Sequence, residues 1–497
     1  MQKRIMSGLL AIVVLLSLVA TASAQGDDTN PPPPASMRDA AGVGTMNLPG
    51  GGWWTGMQVV NVGTKASTVV MTLYDRDSTS TYESVSHVLD PNESYTFYPT
   101  DDAEWDPNVP SGFIGSAVVT ASELTLAIVN EQNNLGTSGV AGGSYRGFTD
   151  EQTGERLLFP LVKRAYGSGQ TTTTFFIQNA SGTPVNIYAT FRVAAGTYKK
   201  TYSSVGANQM VTINPGDAGV PQGSTSLGSL EITSTVKLAG VYNEHEDSAT
   251  LATKLLGTTG FSEAVADTRL FVPIYKQNYN TSYAGLQVQN VGDIATTVYA
   301  TYTVAYGGSG TYTANAPAGP GESALFFNVS GWPDSTYGSV TVSAAQPLVG
   351  IVNETKYSTG QSGVYAAFPK SGVTTCAVAP LWKTRWSGGS SGQQSALVVQ
   401  NVGDKATTVN VEFTMTTGGV GTFTPPGQSL DPGKSLVIGP GPISGGPPSD
   451  VPAVGAVEVC TAGLGGHPAQ PIAVLVQETT LPGWTTRDLL NYEAFNR

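Results

Sequence analysis

The ten residues QNVGDIATTV (289–298) return as QNVGDKATTV (400–409), 111 positions further on, with one letter changed. Looser versions stand upstream, VNVGTKASTV at 60–69 and QNASGTPVNI at 178–187. In its context, GLQVQNVGDIATTVYATYTV, the third copy alternates apolar and polar residues on both sides of a polar centre. That period of two predicts strand, turn and strand. Asn290, Val291, Gly292 and Asp293 make the turn, with Gly292 expected to supply a positive φ. Val288 before it and Val298, Ala300 and Tyr302 after it are the expected inward positions.

Two further motifs keep step with the hairpin. LAIVNEQ (126–132), LAGVYNEH (238–245), LVGIVNET (348–355) and IAVLVQET (472–479) place Glu131, Glu244, Glu354 and Glu478 at intervals of 113, 110 and 124 residues. The hairpin asparagines Asn61, Asn179, Asn290 and Asn401 are separated by 118, 111 and 111. Between the two motifs lie PNES (91–94), PGES (320–323) and PGKS (432–435), with ANQM (207–210) in the divergent second copy. Motifs that keep a common period define a repeat, one structural unit rebuilt several times.

Each unit reads as seven or eight short strands separated by turn signals, the spacing of a β-sandwich of ~100 residues. The fold class expected is therefore all-β, four tandem Ig-like β-sandwiches at 46–150, 157–264, 268–370 and 376–497. Polar joints such as TDEQTGER (149–156) and PKSGVTT (369–375) are short, which predicts a semi-rigid rod of four domains.

The N-terminus reads as a secretory leader, residues 1–24. Lys3 and Arg4 precede the apolar run GLLAIVVLLSLVA (8–20), and Ala22, Ser23 and Ala24 offer a cleavage site. The run is shorter than a membrane span, and no later run approaches the ~18 apolar residues that one needs. Residues 25–45 then form a Pro-rich arm expected to be disordered. As an unpaired segment it could add as a strand to a neighbour's sheet, or act only as a spacer.

The pattern P-L-x-K … QNVGDxATTV … PGxS … YGSVTV … PLVGIVNE resembles the Ig-like sandwich repeats of secreted and cell-surface bacterial proteins, including those of filamentous Chloroflexi-type bacteria. The NVGDxATTV hairpin is also similar to adhesion-type modules of the CARDB kind. The resemblance implies fold and location, with no defined activity.

Composition narrows the partners. Without Lys3 and Arg4 the chain has 22 basic residues (24 − 2) against 36 acidic ones, a formal charge of −14 (22 − 36). Phosphate backbones are neutralised by clustered Lys and Arg, so nucleic acid is excluded as an expected partner. Two cysteines, Cys376 and Cys460, stand 84 residues apart. Export to an oxidising space favours a disulfide between them, two buried thiols being the alternative.

Catalytic look-alikes fail on context. GGSSG (388–392) fits G-x-S-x-G, but a nucleophile elbow needs a strand before the serine and a helix after it. GQSLDPGKS (427–435) has one residue too many for a P-loop, and no helix follows. His87, His245 and His467 fall in different repeats without metal-ligand spacing.

Three sets of residues are binding candidates. The strand-end residues Asn130, Glu131, Asn243, Glu244, Asn353, Glu354, Gln477 and Glu478 could form cation sites or inter-domain contacts, or hydrogen-bond a local turn. Asp101, Asp102, Glu104 and Asp106 in DDAEWD make the densest acidic loop, a candidate calcium site; no other cofactor is expected. Trp53, Trp54, Tyr166, Tyr279, Tyr283 and Trp386 precede the hairpins, where rings can stack on sugars or plug the end of the sandwich. Trp53, Trp54 and Trp386 are the expected glycan contacts.

These observations predict a secreted, non-enzymatic structural protein of the cell surface. It would assemble into a surface layer, sheath or filament with copies of itself or other surface components, through edge strands or the N-terminal arm. The alternative is an extracellular adhesin or carbohydrate-binding protein.

Overall fold

The computed structural model describes residues 10–16, 53–91, 93–134, 140–148, 152–168, 170–246, 255–358, 361–385, 392–417, 419–439, 443–480 and 489–496. Apart from 3-10 turns of three or four residues, all regular structure among them is β-strand, and no helix is long and apolar enough to cross a membrane. The protein is all-β, built of tandem antiparallel sandwiches.

The third repeat shows the plan. One sheet contains Thr311–Ala318, Thr296–Tyr306, Thr336–Lys356, Asp267–Gln277 and Phe368–Pro369; the other contains Ser323–Phe327, Ser282–Asn290 and Gln361–Ala366. The 21-residue strand Thr336–Lys356 belongs to both. Its first half pairs with Asp267–Gln277 and Thr296–Tyr306, its second half with Ser282–Asn290 and Gln361–Ala366. Val288, Val298, Ala300 and Tyr302 point into the core and are fully buried, as the alternation predicts. The second repeat is built the same way on Gly228–Glu246. In the first and fourth repeats the long strand is divided, into Gly115–Ala121 with Thr125–Asn134 and Ala453–Gly463 with Ile472–Thr480.

Repeats two to four each begin with a strand of their own, Gly154–Val162, Asp267–Gln277 and Cys376–Thr384. In the first repeat that place beside Gly115–Ala121 is held by Leu10–Leu16, from the N-terminal apolar run. The Pro-rich arm lies outside the described residues.

The rod expected from the short joints is not what forms. Strand Val140–Arg146 of the first repeat contacts Leu255–Thr259 of the second, which contacts Gln361–Ala366 of the third. That strand contacts Leu489–Glu493 of the fourth, which returns to Val140–Arg146. The four sandwiches therefore close into a ring.

Apolar packing follows the same head-to-tail order. Phe176, Met210, Ala239 and Val241 of repeat two enter the core cluster of repeat one. Val291, Val349 and Ile351 of repeat three join that of repeat two, and Val398 and Leu475 of repeat four join that of repeat three. Ile128 of repeat one joins that of repeat four. A head-to-tail contact whose rotation closes makes a ring rather than an open filament. The trace in the sequence is local. Strand Gln393–Asn401 is buried at every position, because one face meets its own core and the other meets a neighbour.

Cys376 and Cys460 face each other on neighbouring strands and form a disulfide with Cα atoms 4.1 Å apart. Replacing both with serine should destabilise the fourth sandwich by up to ~4 kcal/mol, the loop-closure entropy of a span this long. Urea denaturation followed by fluorescence of the buried Trp382 measures it.

Candidate functional site: the seams between sandwiches

The residues that recur in all four repeats do two jobs, both structural. Hairpin asparagines Asn61, Asn179, Asn290 and Asn401 are fully buried. Asn290 Nδ2 donates to the carbonyls of Ile294 (2.8 Å) and Ala318 (3.1 Å), and Gly292 N donates to its Oδ1 (3.0 Å). Asn61 and Asn401 make the corresponding bonds. One amide thus pins the turn and ties it to the next strand.

The glycine of this turn has a different reason from the one expected. Gly292 is not among the positive-φ residues; a Cβ there would meet the Gln346 side chain at 2.1 Å. Gly403 stands in the same relation to Gln470, at 2.3 Å. The divergent second copy has Ser181 instead, whose hydroxyl donates to Asn179 Oδ1 at 2.7 Å.

The strand-end pairs form the seams. Asn353 Nδ2 of repeat three donates to Glu244 Oε2 of repeat two at 2.6 Å, and Asn243 Nδ2 of repeat two donates to Glu131 Oε2 of repeat one at 2.8 Å. Gln477 Nε2 of repeat four donates to Glu354 Oε2 of repeat three at 3.3 Å. Each carboxylate after the first also meets a lysine from the end of its own repeat's opening strand or the residue just after it. The distances are 2.8 Å for Lys163–Glu244, 2.5 Å for Lys276–Glu354 and 2.8 Å for Lys383–Glu478. All three lysines lie three residues after the prolines Pro160, Pro273 and Pro380. The P-L-x-K pattern contains these lysines, and its recurrence alongside the recurrent glutamate is the signal in the sequence for this pair.

A second set of seam bonds uses the PGxS turns. Ser116, Ser229 and Ser339 donate to the carbonyls of Asn208 (2.5 Å), Gly321 (2.6 Å) and Gly433 in the following repeat. Those three residues have φ of 57°, 73° and 72°, a left-handed conformation that glycine and asparagine tolerate best. In the opposite direction, Ser323 donates to the Pro160 carbonyl at 2.8 Å and Ser435 donates to that of Pro273.

The other candidates are not brought together as binding sites. Asp101, Asp102 and Asp106 are exposed, whereas Glu104 is buried, 2.9 Å from His87 Nε2 and accepting from Tyr95 Oη at 2.8 Å. His87 stacks on Tyr95 with ring centres 3.7 Å apart. Burial, then the Glu104 hydrogen bond, hold the Tyr95 hydroxyl well above its ordinary pKa. The loop therefore splits, one carboxylate serving the core and three facing solvent. Among the described residues no group of three or more His, Cys, Asp or Glu could hold a metal ion.

Trp53 and Trp54 open the strand Trp53–Asn61, their side chains lying outside the described residues, as does Trp386. Residues 388–391 of GGSSG also fall outside. The P-loop look-alike is a strand Gln428–Leu430, a turn and a strand Ser435–Ile438. In the third repeat Tyr279 packs edge-on against Tyr306 and Tyr337, which stack 5.4 Å apart. Tyr283 contacts Phe327 and Tyr357 close by.

Comparisons with known proteins add no family. No protein-family model and no curated protein matches the chain. Among solved structures, Thermotoga maritima 1070 is 17% identical over 21% of this chain and 95% of its own, with a TM-score of 0.19. An Escherichia coli α2-macroglobulin activated by porcine elastase is 10% identical over 87% of this chain and 40% of its own, with a TM-score of 0.11. A Streptomyces avermitilis α-L-rhamnosidase complexed with L-rhamnose is 10% identical over 86% and 54%, also with a TM-score of 0.11.

Two outcomes follow from the seam chemistry. Removing one partner of a buried ion pair leaves an uncompensated charge, so Lys163→Met or Glu244→Leu alone should destabilise by ~3–5 kcal/mol. The double variant should cost less than either, and a double-mutant cycle by chemical denaturation measures the difference. A tyrosine also stands beside each seam glutamate: Tyr145 by Glu131, Tyr242 by Glu244, Tyr365 by Glu354 and Tyr492 by Glu478. Burial, and then that carboxylate, raise all four hydroxyls well above the ordinary value. Below about pH 10 these tyrosines are protonated in both folded and unfolded chains and contribute no pH dependence. Above it only the unfolded chain loses its protons, so stability falls as pH rises. Phenolate absorbance from these four should appear together with loss of near-ultraviolet circular dichroism, and not before it.

Proposed function

We propose that this chain is a secreted, non-enzymatic structural protein of the cell surface, a scaffold subunit that assembles with copies of itself or with other surface components. The observation that carries the reading is the use made of the recurrent polar residues. The hairpin asparagines fix turns, and the strand-end amides, carboxylates and their lysines fix seams, so the repeated chemistry serves shape. The leader-like N-terminus supports export. With the leader cleaved, the place beside Gly115–Ala121 in the first sandwich would lose Leu10–Leu16, which gives the arm or another extended segment somewhere to pair.

A second reading rests on the third sandwich. Tyr306, Phe327 and Tyr357 are exposed beside the turn at 278–281, where Asn278, Asn280 and Thr281 all have positive φ. Exposed rings around a polar turn suit a pyranose, and the chain would then be an adhesin or carbohydrate-binding protein.

Negative-stain microscopy of residues 25–497, with and without calcium, tests the first reading. Regular sheets or filaments are expected; single rings at every concentration would remove it. If assembly required calcium, Asp101, Asp102 and Asp106 would be the first residues to replace. The second reading expects glycan-array binding that falls at least tenfold in Tyr306→Ala plus Tyr357→Ala, and no binding by the parent chain would end it.

A further inference from the structure

The four seams are not equal. Three are crossed by the chain itself, at 149–153, 263–266 and 370–375, while nothing covalent joins repeat four to repeat one. The same three carry the amide–carboxylate bond and the serine-to-turn bond. The fourth departs in each respect. Repeat four has Ala456 where its predecessors have Ser116, Ser229 and Ser339 after the glycine, so no hydroxyl reaches forward. Among the described residues, Glu478 Oε1 is buried without a hydrogen-bond partner, on the carboxylate whose counterparts accept an amide from the next repeat. The residue in register to supply that amide, Asn130, is partly exposed. Across this seam Val140–Arg146 contacts Leu489–Glu493, Ile128 enters the core cluster of repeat four, and Arg146 Nε lies 3.9 Å from Glu493 Oε2.

We infer that the ring opens at the seam between the fourth and first sandwiches, and that the two faces so exposed dock on the complementary faces of a second copy of this chain. The partner is specified by continuity with the interface already present. Each chain carries both halves of one head-to-tail contact, Ile128, Asn130 and Arg146 on one side and Glu478 and Glu493 on the other. Made within one chain, the contact closes a four-sandwich ring. Made between chains, it gives an eight-sandwich ring or an open filament with identical local packing. The docked copy restores the same buried surface that opening exposes, so exchange changes little in enthalpy and is controlled by concentration and by how often the weak seam opens. This rests on the self-assembly part of the proposed function and names its surface; it does not depend on where the protein resides.

A charge-swap pair tests it. Arg146→Glu sets two carboxylates against each other at this seam, and Glu493→Arg sets two guanidinium groups there, within one chain or between identical chains. Mixed one to one, every contact between unlike chains is complementary. The carboxylate introduced by Arg146→Glu meets the guanidinium introduced by Glu493→Arg, and the native Arg146 meets the native Glu493. By sedimentation velocity the mixture should form multi-chain species at a concentration at least tenfold lower than either variant alone. If the mixture sediments as the sum of its components, the inference is overturned.

Glu493 Oε1 also accepts the Ala366 N–H, so Glu493→Arg is checked for folding by circular dichroism. A measurement on the unaltered chain stands behind it. Amide hydrogen exchange in 140–146 and 489–493 should be faster than in 255–259 and 361–366, and the two faster strands should exchange together. Equal protection at all four seams would overturn the opening. If the mixture assembles but the microscopy grids hold only isolated closed rings, the docking surface stands and the extended surface-layer role falls.

Discussion

A buried strand-end carboxylate that accepts from an amide of the next sandwich, from a lysine of its own, or from both is the interaction on which the register of the ring depends. Glu244 shows it in full, fully buried between Lys163 and Asn353. Burying these charges costs several kcal/mol per ion, which partners at hydrogen-bond distance offset. Apolar contact between sandwiches supplies most of the attraction, but it is non-directional and would tolerate sliding. The buried carboxylate does not: moving one sandwich by a single residue along its neighbour would strand a charge. Register between domains is therefore set by a polar bond inside an apolar seam, as one buried polar residue fixes register in a coiled coil.

This division of labour explains why the repeats look alike where they do. A hairpin can be built from many sequences, yet Asn61, Asn179, Asn290 and Asn401 occupy one place because a single amide must donate to two carbonyls and also accept an N–H. The neighbouring glycine answers a separate demand, the close approach of Gln346 or Gln470, and where serine replaces it in copy two a hydroxyl bond to the asparagine compensates. Nearly identical decapeptides at 289–298 and 400–409 thus arise from two constraints that coincide in adjacent residues.

Much of the fold was legible because alternation and turn chemistry are local. The hairpin, the inward faces of Val288, Val298, Ala300 and Tyr302, and the sandwich class follow from neighbours a few residues apart. The ring was not legible, since closure depends on the angle between successive domains, which no short stretch encodes. A clue existed in QQSALVVQN, where every position of the strand is buried, so the alternation proper to a one-faced strand is missing. Read as a hairpin arm it looks merely apolar; read as a strand between two cores it demands a neighbour. The strand-end motif was half legible. Its Asn–Glu pairs were recognisable as candidate inter-domain contacts, but the lysines that complete them stand 81, 78 and 95 residues away in sequence, beyond any local pattern.

The repeats depart from one another at two of the seam positions. Lys163, Lys276 and Lys383 have no lysine counterpart in the first repeat, where Arg38 is the only Lys or Arg between Arg4 and Lys65. The fourth repeat has alanine where a forward-reaching serine would sit. The first change leaves Glu131, at the linked seam to repeat two, with the Asn243 amide in place of a lysine; the second falls at the seam between repeats four and one, which meet without a covalent joint. A linked seam is re-formed after every fluctuation because its halves stay at high local concentration, so even weak polar bonds there are remade. An unlinked seam has no such help, and the bonds it lacks are the ones that would have compensated. Unequal seams in a ring of similar units therefore follow from how the chain is threaded. They confine any opening of the ring to the place where its two ends meet.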